Sequence, residues 1–505
     1  MKAMKERVGG RRGTRAAALV SLCLALGGAR ATAGDPSPKR LAKTIDAVVA
    51  RPGFAAAFWG IEVRSLKTGR TLYARNAEKA FRPASNVKLV TTAAALDALG
   101  PDTQIRTTVE TAGRIDGMGR VLGDVFLVGR GDPNLSARFT PGRPAAAFEQ
   151  MADALVAAGV RRIEGCLVGH EGAFTGDRRG SDWTWEDLPW GYGAEVSALS
   201  FADNRVEVTL KPGERAGDPA VLDVAPDLGC VAVSSSVVTA AAAPLPPSGP
   251  ADGEEAVSLD RGPGSNEIRL SGRVPLGGSW DGGLAVADPA RCAAQVFRGV
   301  LEARGIRVTG GVSTSSAPLP AGVRALAWHD GPSVAEIVRT VNKESQNLHA
   351  EMLLRLVGLK VKGEGSAAKG HEAVVEMARR LGVPDQGWGL SDGSGLARTN
   401  LLTPHGLVAL LAALDRHPAA AAFRASLPVA GVDGTLKRRM TGTAAEGRVI
   451  AKTGTFRLTN ALAGYATTAR GERLAFSIVV NNHAGKSREA VAAIDAIAVS
   501  LATAH

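Results

Sequence analysis

A serine and a lysine stand three positions apart in Ser85-Asn86-Val87-Lys88, at the head of a segment with helical spacing. Residues three apart on a helix share a face, so the two side chains can meet. A serine hydroxyl attacks an acyl carbon well only when a neighbouring base takes its proton. A lysine can be that base once burial or nearby positive charge brings its proton affinity toward the working pH. The helix N-terminus also favours the negative charge that develops near Ser85. A second hydroxyl stands in Ser345-Gln346-Asn347, where Ser345 can relay a proton between Lys88 and a leaving amine and the Asn347 amide can hold a substrate carbonyl. The third set, Lys452-Thr453-Gly454-Thr455, closes the apolar run Val449-Ile450-Ala451. A strand ending this way offers a cation and a hydroxyl (Lys452 and Thr453) to a substrate carboxylate, and a closely approachable backbone at Gly454. The N–H groups of Thr455 and Ser85 would form an oxyanion hole, where losing one donor typically costs about 3 kcal/mol. Each set is short enough to arise by chance, so the reading rests on all three and on their order.

Such residues need a sheet and helices to hold them. Trp59 to Val63 reads as a strand, Lys67-Thr68-Gly69 as a turn and Thr71 to Tyr73 as the return strand. Ala84 to Leu99 has helical spacing, with Pro83 just ahead of it. From about 103 to 325 short alternating runs (Val121 to Val128, Arg205 to Leu210, Glu267 to Val274) predict strands, with one amphipathic helix at Phe148 to Ala158. Ala240 to Gly253 is a Pro/Ala/Gly-rich loop. Helical patterns return over Val334 to Leu356, Lys369 to Leu381 and His405 to Leu414. Strands follow at Val449 to Lys452, Asn460 to Ala466 and Leu474 to Asn481, then a last helix from about Ser487. That helix is Ala-rich and nearly uncharged, but Asp495 lies within it and no basic face accompanies it, which favours a core helix over a membrane anchor.

At 505 residues the chain predicts two or three domains, and 45% hydrophobic with 22% charged residues is ordinary globular composition. The net charge of +11 suggests nucleic acid until its location is considered. The first 33 residues carry seven basic side chains and one acid, so six of the eleven excess charges lie there, and no later basic run exceeds Lys437-Arg438-Arg439. A nucleic-acid partner loses its support. Those 33 residues read as an export leader: a basic start to Arg15, an apolar stretch of about 13 residues from Ala16, and Ala31-Thr32-Ala33 as a small-x-small cleavage site. Three cysteines follow it, Cys166, Cys230 and Cys292, so at least one thiol is left over from any pairing. No CxxC or HxxxH pattern exists, and no metal site or cofactor is expected. Two decoys are set aside. Lys67-Thr68-Gly69 precedes Ser85 in a turn, and Gly389-Leu390-Ser391-Asp392-Gly393 has the GxSxG form without the strand and helix that a nucleophile elbow requires.

The three sets together resemble the motifs of class A β-lactamases and penicillin-binding proteins. The strings Arg82 to Lys88, Asn342 to Glu351, Ser391-Asp392-Gly393-Ser394-Gly395-Leu396 and Gly431 to Leu436 narrow this. They resemble the D-Ala-D-Ala carboxypeptidase/endopeptidase family called penicillin-binding protein 4, or peptidase family S13, over nearly all of the mature chain. In that family a two-domain insertion separates the first two motifs, and here Ser345 stands 260 positions after Ser85. The resemblance implies an α/β transpeptidase-like domain, an antiparallel sheet flanked by helices, from 34–102 and 326–505. Two mostly β domains are inserted, one from 103–213 and 282–325, the other from 214–281. It implies a serine DD-peptidase of peptidoglycan peptides, acylated by penicillins at Ser85, with Lys88 as base, exported to the periplasm or wall and not anchored in a membrane. It further implies that Asp187, in Trp183-Thr184-Trp185-Glu186-Asp187, reads the free amine of the peptide's diamino acid, with Arg398 near the same subsite. Gln346 stands where Asp is commoner, and Arg457 where some relatives carry glutamine. Two rivals remain. One is a β-lactamase or esterase on the same scaffold, which penicillin turnover would reveal; the other is an inactive wall-binding scaffold, against which the intact trio argues.

Overall fold

The computed structural model describes residues 38–241, 257–485 and 487–504, so the leader and most of the stretch 240–253 lie outside it. Five antiparallel strands form one sheet in the order Val449–Phe456, Thr459–Thr467, Arg473–Asn481, Phe58–Ser65, Thr71–Arg75. Side chains alternate across a strand, so each strand feeds two cores. Leu474, Phe476, Ile478 and Val480 pack with Ile45, Ile494, Ile497 and Leu501 of the helices Pro38–Val49 and Ser487–Thr503. On the other face Ala463, Tyr465 and Ala475 join a core built from the helices Val87–Leu99, Val334–Glu344, Asn347–Lys362, Ala367–Arg380, Pro404–Leu414 and Ala420–Ser426. Burial on both faces is why these strands read as nearly continuous apolar runs. The last helix is a core helix: Asp495 pairs with Arg439 at 2.6 Å, and among the described residues no helix is long and apolar enough to cross a membrane.

The inserted region holds a mixed five-stranded sheet in the order Val312–Ser315, Leu167–His170, Val125–Val128, Gln104–Thr111, Arg324–Ser333. Beyond it lie a sheet Val221–Ala225, Arg205–Lys211, Trp280–Ala285 and a small sheet around Glu267–Pro275. Cys230 and Cys292 form a disulfide, and among the described residues Cys166 is a free thiol.

Three differences from the sequence reading have physical reasons. The region carries a second helix, Pro289–Ala303, besides Ala146–Ala157. Its proline at the first position and its buried Cys292, Ala293, Phe297 and Leu301 are a helical signal hidden between strand-like runs. The seam expected at 325/326 falls inside Arg324–Ser333, which pairs with Gln104–Thr111; helix resumes at Val334, where Ser333 caps the N–H of Glu336. Finally, Val334 to Leu356 is two helices, broken where Ser345 turns left-handed at φ 64°.

Candidate active site

Ser85 lies in a 3₁₀ turn, Ala84–Asn86, directly before the α-helix Val87–Leu99. The expected helix from 84 is therefore a tight turn followed by a helix. Ala84 is held at φ 48°, a region non-glycine residues seldom adopt. The neighbours explain this constraint. A Cβ on Gly454 would come within 2.5 Å of the Pro83 carbonyl oxygen, and one on Gly395 within 2.1 Å of that of Ala84. The strand end and the 391–396 loop thus press against the serine's turn from two sides.

One turn on, Lys88 is fully buried. Its Nζ lies 3.1 Å from Ser85 Oγ, 2.6 Å from Asn347 Oδ1 and 2.5 Å from the Ser394 carbonyl oxygen. Two of these partners only accept. A neutral amine has two N–H groups for them and keeps its lone pair for the third direction, which is the Ser85 hydroxyl. Burial pulls the Lys88 ammonium down to about 7, against the opposing charges of Asp392 and Glu351. Lys452, also fully buried, places Nζ 2.8 Å from Ser345 Oγ and donates to the Thr453 carbonyl at 2.9 Å. Burial and then the charge of Lys88 hold it well below the usual lysine range. The Thr453 hydroxyl lies 2.9 Å from that of Thr435. The left-handed break at Ser345 lets its hydroxyl face Lys452 while Asn347, on the next helix, reaches Lys88.

Gln346 fills a local role instead of the usual acid's. Its Oε1 caps the N–H of Leu348 and its Nε2 donates to Asp203 at 3.0 Å. Asp187 and Arg398 are brought together as an ion pair at 2.9 Å. Asp187 is buried, and its Oδ2 also accepts the N–H and hydroxyl of Thr184 at 3.0 and 2.8 Å. After opposing burial, the Arg398 and Thr184 bonds keep its carboxyl below the usual range. Arg398 lies over the Phe456 ring, 5.7 Å from its centroid, on the strand that carries Lys452. Asn347 Nδ2 donates to the Tyr192 carbonyl at 2.8 Å, tying the 183–193 loop to the same floor.

Sequence reasoning missed the groups beneath Lys88: Ser394, Glu351, Asp392 and Thr91. Glu351 Oε1 accepts the N–H groups of Gly393 and Ser394 at 2.8 Å each, and Thr91 donates to the Gly393 carbonyl at 2.7 Å. Asp392 accepts from Gly395, Ala397, Asn400 and the Trp183 indole. A signal existed. Glu351 stands inside Leu348 to Leu354, a stretch buried throughout, where a lone acid needs a partner. Both decoys fail: Gly69 lies in the turn between two strands, and 389–393 is loop, with Ser391 accepting from Thr399 at 2.8 Å.

The class follows from fold and site together. Ser85, Lys88 and Asn347, with Ser345 and Lys452, sit on the fold of penicillin-binding protein 4 (dacB) from Haemophilus influenzae. That crystal structure matches with a TM-score of 0.77 at 24% identity, over 90% of this chain and 98% of that one. The chain belongs to the D-Ala-D-Ala carboxypeptidase 3 (S13) family, whose model matches residues 41–503. It is 39% identical to a D-alanyl-D-alanine carboxypeptidase of Actinomadura sp. (strain R39), over 98% of this chain and 92% of that protein. To the D-alanyl-D-alanine carboxypeptidase DacB of Haemophilus influenzae it is 27% identical, over 84% and 85%.

Proposed function

We propose that the chain is a serine DD-peptidase that hydrolyses D-alanyl-D-amino acid bonds of peptidoglycan through an acyl-enzyme at Ser85. Neutral Lys88 takes the Ser85 proton as Oγ attacks the penultimate D-Ala carbonyl. The N–H groups of Ser85 and Thr455 receive the oxyanion, and the tight approach of Gly454 to Pro83 keeps those two backbones adjacent. The proton on Lys88 passes to the departing amine by way of Ser345, whose hydroxyl Lys452 orients. Water then attacks the acyl carbon as Lys88 takes its proton, the bond from that carbon to Ser85 Oγ breaks, and Lys88 returns the proton to Oγ. Lys452 and Thr453 receive the terminal carboxylate, and Asp187, steadied by Arg398, receives the ammonium of the third peptide residue. Crosslink cleavage, where the leaving amine belongs to a second stem peptide, uses the same steps. No cofactor or metal enters the scheme. The reading makes the protein exported and periplasmic, with 1–33 removed, and assigns catalysis to the unit built from 34–102 and the residues after the inserted sheets.

The observation that carries this is the three-partner setting of Lys88, two acceptors and one nucleophile hydroxyl. Labelling the mature protein with a fluorescent penicillin and mapping the modified peptide tests it. The label is expected on Ser85; label on Ser391 or Ser394, or none on folded protein, overturns the assignment.

A further inference from the structure

A buried carboxylate sits two hydrogen bonds away from the reacting lysine, outside the three motif sets. Glu351 is fully buried, and its Oε1 clamps two successive backbone N–H groups, those of Gly393 and Ser394, at 2.8 Å. The carbonyl of that same Ser394 accepts from Lys88 Nζ. A turn whose N–H groups are fixed has its carbonyl fixed as well, so the position of one of the two acceptors of Lys88 depends on Glu351. Thr91, one turn along the helix from Lys88, ties the same turn from the other side through the Gly393 carbonyl. We propose that Glu351 is a positioning residue for the acyl-transfer base: it holds the Ser394 carbonyl against Lys88 and, with Asp392, places buried carboxyl groups beside that amine. This rests on Lys88 being the base.

The titratable groups around Glu351 come from four elements. Lys88 lies on its own helix above; Asp392 lies in the 391–396 loop; Arg355 follows one turn along the helix of Glu351, 3.3 Å from Oε2; His371, on the helix Ala367–Arg380, faces Asp392 and Arg355. Burial and then Asp392 raise the Glu351 carboxyl to about 7, while Arg355 and the Ser394 bonds pull it down. The same cluster raises Lys88 against its own burial. Removing the Glu351 charge while keeping its oxygen therefore lowers the proton affinity of Lys88, because a nearby opposite charge that favoured the ammonium is gone. The free base then persists to lower pH.

The test is the pH profile of penicillin acylation in Glu351→Gln, Glu351→Asp and Thr91→Val, each checked for a folded thermal transition. Glu351→Gln is expected to move the rising limb down by roughly half a pH unit, because Glu351 is itself only partly ionised across the limb. Glu351→Asp keeps the charge but shortens the clamp, so its rate falls about tenfold or more with the limb less moved. Thr91→Val loosens the turn without touching a charge and lowers the rate with the limb in place. A Glu351→Gln profile with the wild-type limb overturns the electrostatic part. If that variant does not fold, a Glu351→Asp enzyme with the wild-type rate overturns the positioning part. Failure of the underlying reading is separately visible, as wild-type protein that folds but takes no label at Ser85.

Discussion

Acylation of Ser85 should switch on with rising pH near neutrality, and the size of the effect follows from the burial of one amine. An ordinary lysine near 10.5 is neutral in only about one molecule in 3,000 at pH 7, whereas Lys88 at about 7 is neutral in about half. Burial thus raises the supply of base about a thousandfold, worth roughly 4 kcal/mol of barrier, and part is returned because a weaker base pulls less strongly. Below pH 7 the neutral fraction falls tenfold per unit, so acylation at pH 5 is expected to be about fifty-fold slower than at pH 7. Stopped-flow acylation by a fluorescent penicillin between pH 5 and pH 9 reads this directly, since the drug's own carboxylate stays ionised. Unfolding through Lys88 does not mimic the loss. Its folded affinity lies below its unfolded one, so its contribution to stability rises with pH only between about 7 and 10.5 and is level below 7. The limb belongs to Lys88 and Glu351 together, not to one group. Lys88→Arg separates the base from its surroundings: guanidinium stays protonated in proteins, so acylation should vanish across the range in a folded variant. A flat profile, a limb near 10, or near-normal acylation by Lys88→Arg each refutes the reasoning.

Two further outcomes are expected. Asp187→Asn should slow cleavage of D-Ala-D-Ala peptides with a free amine on the third residue by about tenfold, the scale of one charge-assisted bond. It should change acylation by a simple penicillin, which carries no such amine, less than about twofold. Equal losses in the two assays would instead mean that Asp187 only steadies the 183–193 loop through Thr184 and Arg398. Gly454→Ala puts a methyl 2.5 Å from the Pro83 oxygen and must push the strand from the serine's turn. Acylation should fall about a hundredfold or more, the scale of losing one oxyanion donor, with the thermal transition retained. An unimpaired Gly454→Ala enzyme would show that this contact does not set the oxyanion geometry.

The elements around Ser85 were legible because their signals are local. Helical spacing after Ser85 marked the helix that carries Lys88, and the strands at 449–481 needed only apolar runs of the right length. What the sequence concealed was long-range. Pairing of Arg324–Ser333 with Gln104–Thr111 joins residues more than two hundred positions apart, and no periodicity reports it. The helix Pro289–Ala303 was masked by strand-like neighbours, although its own spacing was regular. The disulfide could not be assigned from three cysteines, because Cys230 and Cys292 meet only after the helix packs on the inserted sheets. Asp187 and Arg398 were each expected near one subsite, yet their direct pairing is a fact of tertiary structure.

The break at Ser345 shows why the second motif takes the form it does. A continuous helix over 334–356 would place Ser345 and Asn347 about 200° apart around one axis, so they could not both line the same cleft. The left-handed residue at φ 64° ends one helix, and Gln346 starts the next by capping Leu348 with its own side chain. Ser345 is left on the outgoing turn facing Lys452, and Asn347 on the incoming turn facing Lys88. Two buried amines that would repel each other if both charged are thereby each given a separate hydroxyl, Ser85 for Lys88 and Ser345 for Lys452. In the proposed scheme the proton taken from Ser85 by Lys88 is handed to the leaving amine through Ser345, so the nucleophile and the relay hydroxyl must stand on different backbones. The irregular backbone, unfavourable for a non-glycine residue, is what separates the two ends of that path.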